Sequence, residues 1–249
     1  MRPLLLLSND DGVRSPYLEA LARGLERLGE VLVIAPERQR SAMSHTITLH
    51  KPLRVHEVAP GRYSASGSPV DCVYLGVLKL CPRRPAVVVS GINDGFNLGT
   101  DVFYSGTVGA AIEGGLRGIP ALAVSLEYGG EAALPRAVDL ACATVAGLLA
   151  GGLPPATVLN LNVPRLAGGQ YRWTRLGRRI YQDDVHVRSD PRGHDYYWIG
   201  GGEAGMADIP GSDCEAAAAG LASITPLRLD FTAPDLGEPP FALDGFEVG

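Results

Sequence analysis

Two adjacent carboxylates directly after an apolar run are the residues of this chain that point most clearly to chemistry. Asp10 and Asp11 follow the run at residues 4–8, inside the segment Asn9-Asp10-Asp11-Gly12. An apolar run that ends in polar residues is typical of a buried strand, and α/β proteins bind ligands at the carboxyl ends of such strands. Adjacent carboxylates repel each other unless a positive charge lies beside them, and a divalent cation is the usual partner. Because Asn, Asp and Gly are also common turn residues, the segment alone fits a turn as well as a site.

A second polar loop follows the next apolar run, at residues 31–35. This loop contains Arg38, Arg40 and Ser41. The serine hydroxyl is a neutral oxygen that a metal can bind, and the two arginines fit a phosphate. By itself, however, the loop is more typical of a solvated connection.

The loop after the apolar run at 86–90 has the composition of a binding loop. It extends to Gly99 and contains Asn93 and Asn97. Its glycines permit tight turns, and asparagine side chains both donate and accept hydrogen bonds. The loop matches neither GxGxxG nor a P-loop. Because the amide oxygen of Asn93 can bind a hard cation without adding negative charge, the pattern favours a functional role over a plain turn.

Three small residues, Ser105, Gly106 and Thr107, open a predicted helix. Hydroxyls, free backbone N–H groups and the positive end of the helix dipole together can bind a phosphate. An ordinary Ser or Thr N-cap explains the same residues, and the two interpretations are compatible. Among the histidines, His45 lies in a candidate loop, and no pair has metal-binding spacing.

The composition indicates one globular protein and argues against several partners. With 249 residues, the chain is long enough for one α/β domain with an extension. A formal net charge of −5 without a basic cluster argues against a nucleic-acid duplex as partner. The four cysteines are scattered, which is typical of reduced, buried thiols. No run has the expected length of a signal peptide or membrane span, so we predict a cytoplasmic protein without a membrane partner.

Apolar runs alternate with helical patterns through the first part of the chain. Strands are predicted at 4–8, 31–35, 86–90, 121–125 and 157–163, and helices at 16–28, 109–117 and 134–149. This alternation predicts βαβ units and a mostly parallel sheet. After Pro164 the pattern changes, and it predicts hairpins within 171–202, a short helix that Asp213 caps and that extends through Leu221, a returning strand at 223–227 and an irregular tail from Ala233.

Taken together, these segments resemble the SurE family, whose members are metal-dependent 5'-nucleotidases and acid phosphatases. The resemblance rests on motifs that follow the family order along almost the whole chain, at residues 8–12, 35–41, 89–93, 97–99, 104–108, 159–164 and 223–227. It implies one domain over 1–249, with a Rossmann-like three-layer α/β core over about 1–165, a β-hairpin extension over about 166–210 and a returning C-terminal segment. Two departures are small: Ala42 stands where glycine is common, and Ser68 where threonine is common.

The resemblance also implies site residues and partners. It places the metal ligands at Asp10, Asp11, Ser41 and Asn93. It places the phosphate-binding groups at Asn97, Ser105, Gly106 and Thr107. The resemblance further implies one divalent cation per subunit, with Mg²⁺ or Mn²⁺ preferred to Ca²⁺. It also implies a homodimer or homotetramer formed through the extension.

We therefore predict hydrolysis of nucleoside 5'-monophosphates to nucleoside and inorganic phosphate. A bound cation polarises a phosphoryl oxygen and lowers the pKa of water, and Asp10 or Asp11 serves as general acid or base. One alternative is a phosphatase with an aspartyl-phosphate intermediate, although that chemistry usually has DxD after the strand. A second alternative is a nucleotide- or metal-sensing module without catalysis.

Overall fold

The computed structural model describes residues 1–166, 170–181, 185–199 and 205–232. Helices within these residues are Pro16–Leu25 (α1), Pro69–Leu75 (α2), Gly106–Leu116 (α3), Leu134–Leu149 (α4) and Asp213–Ala218 (α5). The strands are Leu4–Ser8 (β1), Glu30–Pro36 (β2), Val55–Ala59 (β3), Arg62–Ala65 (β4), Val87–Asp94 (β5), Ala121–Leu126 (β6), Val158–Val163 (β7), Tyr171–Trp173 (β8), Arg179–Ile180 (β9), Val185–Ser189 (β10), Asp195–Ile199 (β11), Gly205–Met206 (β12) and Ala222–Leu227 (β13). Single helical turns at Gly99–Phe103, Glu131–Ala133 and Gly76–Leu80 adjoin α3, α4 and α2.

The central sheet is mostly parallel, as the alternation of strands and helices predicts. Its order is β3-β4-β2-β1-β5-β6-β7-β13-β8. The run from β4 to β7 is parallel throughout, whereas β3 and β13 pair antiparallel with their neighbours β4 and β7. The order places the carboxyl ends of β2, β1 and β5 side by side, so the loops that follow these three strands meet at one edge.

Both faces of the sheet are covered by helices. In β1, Leu5 and Leu7 point into one apolar cluster, and Leu4 and Leu6 into the other. Helices α1 and α4 cover the first face, and α2 and α3 cover the second. Because strands buried on both faces need apolar residues at every position, β1 is a continuous leucine run rather than an alternating one. The core is therefore the three-layer α/β architecture that the sequence predicts.

Two helices have different limits from those predicted. Helix α1 ends at Leu25 instead of Leu28, because the N–H groups of Leu28 and Gly29 both turn back to the Leu25 carbonyl. Helix α3 begins at Gly106 instead of Gly109, because Ser105 caps it by accepting from the N–H of Val108 at 3.1 Å. The earlier start brings the first turn of α3 to the edge of the sheet.

The extension only partly follows the prediction of projecting hairpins. Strands β10 and β11 form an exposed antiparallel hairpin, and β9 pairs with β12, but β8 joins the edge of the central sheet beside β13. The short helix α5 is capped by Ser212 and ends at Ala218, short of Leu221. The carboxylate of Asp213 instead accepts the N–H groups of Gly99 and Gly177 at 2.9 and 2.7 Å, which ties the extension to the core. The tail from Ala233 lies outside the described residues.

Within the described part of the chain, one segment, Glu131–Leu149, has the length and apolar composition to cross a membrane, contrary to expectation. In this fold its α4 part packs against α1 and β6, and Ala137, Ala141 and Val145 are fully buried. The apolar character of this segment is accounted for by its place in the core of the α/β domain.

Candidate functional site

A cavity of about 310 Å³ opens where the loops after β1, β2 and β5 meet. The residues that line it are Asp10, Asp11, Gln39, Ser41, Ala42, Asn93, Asp94, Phe96, Asn97, Asp101, Tyr104, Ser105 and Tyr181. All four predicted metal ligands are among them, as are two of the four predicted phosphate-binding residues, Asn97 and Ser105. The adjacency of the three strands explains this convergence, because parallel strands end at the same edge of a sheet.

The Asn9–Gly12 segment is a turn that also presents two carboxylates. The Asn9 side chain closes the turn in both directions, donating to the Gly12 carbonyl at 3.2 Å and accepting from the Gly12 N–H at 3.1 Å. Gly12 has a φ of 101°, in the left-handed region that favours glycine. Asp10 and Asp11 lie between these fixed ends and line the cavity. The turn and the site are therefore one structure, not competing explanations.

Asp10 is buried and is fixed by the start of α3. The hydroxyl of Thr107, itself fully buried, donates to Asp10 Oδ1 at 2.5 Å. Burial raises the pKa of Asp10, and the hydrogen bond from Thr107 opposes that rise. A Cβ on Gly106 would lie only 3.2 Å from Asp10 Oδ2, so glycine allows the helix to approach the carboxylate closely. Gly106 and Thr107 thus contact Asp10 and do not line the cavity.

Asn93 lines the cavity, and a hydrogen bond to the backbone fixes its amide. Its Nδ2 donates to the Gly95 carbonyl at 2.8 Å, which leaves Oδ1 as the atom available for a cation. The residue lies within β5, whose register with β6 shifts between Ser90 and Asn93. Within that irregular stretch, a Cβ on Gly91 would lie 2.4 Å from the Val124 carbonyl oxygen, so this position requires glycine.

The loop after β2 brings Ser41 to the cavity and is attached to the core on both sides of that residue. Before it, the N–H of Arg40 donates to the Asp10 carbonyl at 2.7 Å; after it, the N–H of Ser44 donates to the Tyr104 carbonyl at 3.0 Å. Ala42 has a φ of 56°, in the left-handed region that favours glycine. The departure at Ala42 noted in the sequence therefore falls at a strained position of this loop.

Polar side chains of β6 and β7 form hydrogen bonds that fix Asn97 in place. Its N–H donates to Asn162 Oδ1 at 2.8 Å, and its Nδ2 donates to Ser125 Oγ at 2.8 Å. Asn160 donates to the Asn97 carbonyl, also at 2.8 Å. These buried asparagines give a physical reason for the Asn160-Leu161-Asn162 motif, to which the sequence alone assigned no role. Only one amide hydrogen of Asn97 is used in this way, so the second can serve a ligand.

The cavity is strongly acidic. Asp10, Asp11, Asp94 and Asp101 line it, and among the residues that the structure describes no Lys, Arg or His lines it. Burial, together with the charges of Asp10 and Asp94, raises the pKa of Asp11 to about 6. The described residues contain no group of three His, Cys, Asp or Glu side chains that could bind a metal. A cation here would therefore use the two aspartates with the neutral oxygens of Ser41 and Asn93, a set that suits a hard divalent ion.

The raised pKa of Asp11 predicts how the metal-free protein responds to pH. Between the ordinary pKa of 3.8 and the folded value of about 6, the folded state binds more protons than the unfolded state. The free energy of unfolding therefore falls as pH rises through this window. At pH 7.5, Asp11→Asn should raise the Tm of chelator-treated protein by about 2–4 °C, which corresponds to about 1 kcal/mol after allowance for solvent screening. Thermal denaturation checks this, with the exposed Glu26→Gln as control; a lowered Tm for Asp11→Asn would contradict it.

Sequence reasoning missed several lining residues. Gln39 donates to Asp11 Oδ1 at 3.2 Å, and Asp94 follows a predicted ligand directly, so both lay within segments already singled out. Asp101 and Tyr181 had no such signal, because their contact joins the core to the extension.

His45 lies outside the cavity: its Nε2 is 3.3 Å from Glu113 Oε2. The cysteines are free, and three of the four are buried, as expected.

The fold and the site together define a class: an α/β protein with an acidic cavity, lined by carboxylate, amide and hydroxyl groups, at the carboxyl edge of a parallel sheet. Comparisons with known proteins narrow this class. Residues 5–183 match the family model described as survival protein SurE. A 5'-nucleotidase SurE from Sorangium cellulosum is 47% identical over 94% of this chain and 92% of its own length. One from an Anaeromyxobacter species is 52% identical over 91% and 90%.

A solved structure agrees with these relatives. The crystal structure of the SurE protein from Aquifex aeolicus superposes with a TM-score of 0.82 at 36% identity, covering 94% of this chain and 96% of that one. The chain belongs to the SurE family.

Proposed function

We propose that this chain is a metal-dependent phosphomonoesterase that hydrolyses nucleoside 5'-monophosphates to a nucleoside and inorganic phosphate. Membership of the family supports the activity, because the similar curated proteins are named 5'-nucleotidase SurE. The observation that carries the proposal is the charge of the cavity. Four aspartates line the cavity, and no cationic side chain of the described residues offsets them, so a phosphate dianion would be repelled. An anionic substrate therefore requires a positive ion in the same cavity.

The predicted ligands suit that ion. Asp10, Asp11, Ser41 and Asn93 all line the cavity with oxygen-bearing side chains, and a divalent cation held there would polarise the phosphoryl group and supply an activated water. Thr107 fixes Asp10 in place, and Gly95 fixes the orientation of the Asn93 amide. All-oxygen ligation fits Mg²⁺ or Mn²⁺, with Ca²⁺ as the alternative.

The remaining groups would bind the phosphoryl oxygens and move protons. Asn97 and Ser105 line the cavity beside the start of α3, where the positive end of the helix dipole favours an anion. Gly106 and Thr107 contribute by bringing that helix end to Asp10. Of the paired aspartates, Asp11 is the more exposed to solvent, so we assign to it the exchange of protons with water.

The location and assembly belong to the same proposal. Free, mostly buried cysteines support a reducing compartment, for which we propose the cytoplasm. The β10–β11 hairpin exposes several large apolar side chains, which supports a homodimer or homotetramer formed through the extension: Val185, Val187, Tyr196, Tyr197, Trp198 and Ile199.

Release of inorganic phosphate from nucleoside monophosphates, with and without a chelator, tests the proposal. Activity that is lost on chelation and restored by Mg²⁺ or Mn²⁺ supports it. A phosphorylated protein trapped from labelled substrate would instead support an aspartyl-phosphate mechanism. Binding of nucleotides without any release of phosphate would support a sensing module.

A further inference from the structure

Asp213 is a fully buried carboxylate that the proposed mechanism does not use. It is the first residue of α5 and is not among the residues that line the cavity. Its Oδ1 accepts the N–H groups of Gly177 and Cys214 at 2.7 and 2.8 Å, and its Oδ2 accepts the N–H of Gly99 at 2.9 Å. Burying a charge is costly unless hydrogen bonds compensate it, and these backbone donors supply them. The carboxylate thus joins α5, the extension and the loop after β5.

The extension packs directly on the backbone of that loop. A Cβ on Gly99 would lie only 2.7 Å from the carbonyl carbon of Gly177, so the two backbones are in close contact. One residue further on, the N–H of Arg179 donates to Thr100 Oγ1 at 3.3 Å. The position of the loop backbone is therefore set from the side of the extension as well as from the core.

Asn97 lies two residues before Gly99 and is fixed from the side of the core. Asn162 accepts the Asn97 N–H at 2.8 Å, and Asn160 donates to the Asn97 carbonyl at 2.8 Å. Leu98, between the two fixed residues, is fully buried. The short segment 97–99 is thus bonded to β7 at one end and to Asp213 at the other. A shift of Gly99 would displace the Asn97 side chain, which lines the cavity.

We propose that Asp213 is a positioning residue for phosphate binding, which acts by holding Gly99 and, through it, the side chain of Asn97. The inference rests on the proposed function, in which Asn97 binds a phosphoryl oxygen. A carboxylate suits this role because both of its oxygens accept hydrogen bonds, whereas an amide has one acceptor oxygen and an NH₂ group that only donates. In Asp213→Asn the remaining oxygen would stay with its two donors, and the bond to Gly99 would be lost.

Calorimetric binding of inorganic phosphate to the Mn²⁺-loaded protein tests the inference without requiring turnover. Asp213→Asn should weaken phosphate affinity about 10- to 100-fold, because a displacement of about 1 Å is enough to disrupt a positioned group. The apparent Mn²⁺ affinity should stay within about twofold, since segment 97–99 contains none of the proposed metal ligands. Asp71→Asn is the matched control. Asp71 is also a buried carboxylate that accepts backbone N–H groups, from Thr48 and Ser68, but it does not line the cavity.

A double-mutant cycle separates positioning from general stability. In an Asn97→Ala background, Asp213→Asn should change phosphate affinity less than about twofold, because the group that it positions is already gone. Equal losses in both backgrounds, or unchanged phosphate affinity in Asp213→Asn, would overturn the inference. If Asp213→Asn does not fold, Asp213→Ser, which has one hydroxyl oxygen and no amide, is measured in the same way. Failure of both variants to fold would assign Asp213 to the stability of the fold and overturn the inference.

The same measurements distinguish this inference from the proposed function. If the wild type binds phosphate but releases none from AMP, hydrolysis is wrong, and the phosphate affinity of Asp213→Asn still decides the positioning role. If the wild type hydrolyses AMP and Asp213→Asn binds phosphate equally well, the positioning role is wrong and hydrolysis stands. A wild type that neither binds phosphate nor hydrolyses AMP overturns both.

Discussion

Asp10→Asn is expected to lower kcat for AMP hydrolysis about a thousandfold, the upper range for loss of one electrostatic group in an active site. Asp10 combines three properties: it is buried, it receives the Thr107 hydroxyl, and it lines the cavity beside Asp11. Asparagine keeps the shape of the side chain but removes the charge that a divalent cation needs. Steady-state phosphate release, measured over a range of Mn²⁺ concentrations, gives both the rate and the apparent metal affinity.

The fold of this variant should survive, because burial raises the pKa of Asp10 and a neutral amide avoids that desolvation cost. Circular dichroism and thermal denaturation would verify this. Asp139→Asn is the matched control, since Asp139 is an exposed aspartate on α4 whose carboxylate pairs with Arg27 at the surface. It should leave kcat within about twofold, as surface ion pairs contribute little. Wild-type turnover in a well-folded Asp10→Asn protein would remove Asp10 from the site.

Thr107→Val is expected to weaken metal affinity or kcat about 10- to 100-fold, as is typical when a group that orients a ligand is lost. Valine has nearly the same shape as threonine, so the fully buried position stays filled while the hydroxyl bonded to Asp10 disappears. Thr107→Ser keeps the hydroxyl and should recover most of the activity. Metal titration and steady-state kinetics on the two variants provide the comparison.

A control on a helix away from the cavity separates positioning from general stability. Thr144 on α4 donates its hydroxyl to the Leu140 carbonyl of its own helix, and Thr144→Val should leave metal affinity unchanged. If Thr107→Val matched the wild type in both affinity and rate, the hydrogen bond to Asp10 would have no functional role. If Thr107→Ser were as impaired as Thr107→Val, packing and not the hydroxyl would be responsible.

The sequence predicted the family, the mostly parallel sheet and the convergence of four oxygen-bearing residues. The family followed from the order of its motifs along the chain. The sheet and the convergence have one physical reason: apolar runs mark the buried strands, and polar residues directly after them lie at the same sheet edge. The comparisons confirm the family and the fold. Roles for Asp10, Asp11, Ser41 and Asn93 remain proposals, although all four line one cavity.

Other features depend on contacts that a local pattern does not contain. Thr107 was expected to bind phosphate, but its hydroxyl donates a hydrogen bond to Asp10, a residue 97 positions earlier in the chain. Tyr181 reaches the cavity only because the extension folds back onto Asp101. Strands β3 and β4 had no prediction, because β3 is exposed at most positions and lacks the apolar run of a core strand.

The most direct test of the account is phosphate release from AMP by chelator-treated protein titrated with Mn²⁺. We expect no release without metal and saturable recovery as Mn²⁺ is added. In Asn93→Ala, which removes a proposed neutral ligand and leaves the net charge unchanged, recovery should need much higher Mn²⁺. Undiminished release from AMP after complete removal of divalent cations would contradict the central claim that the acidic cavity works through a bound metal ion.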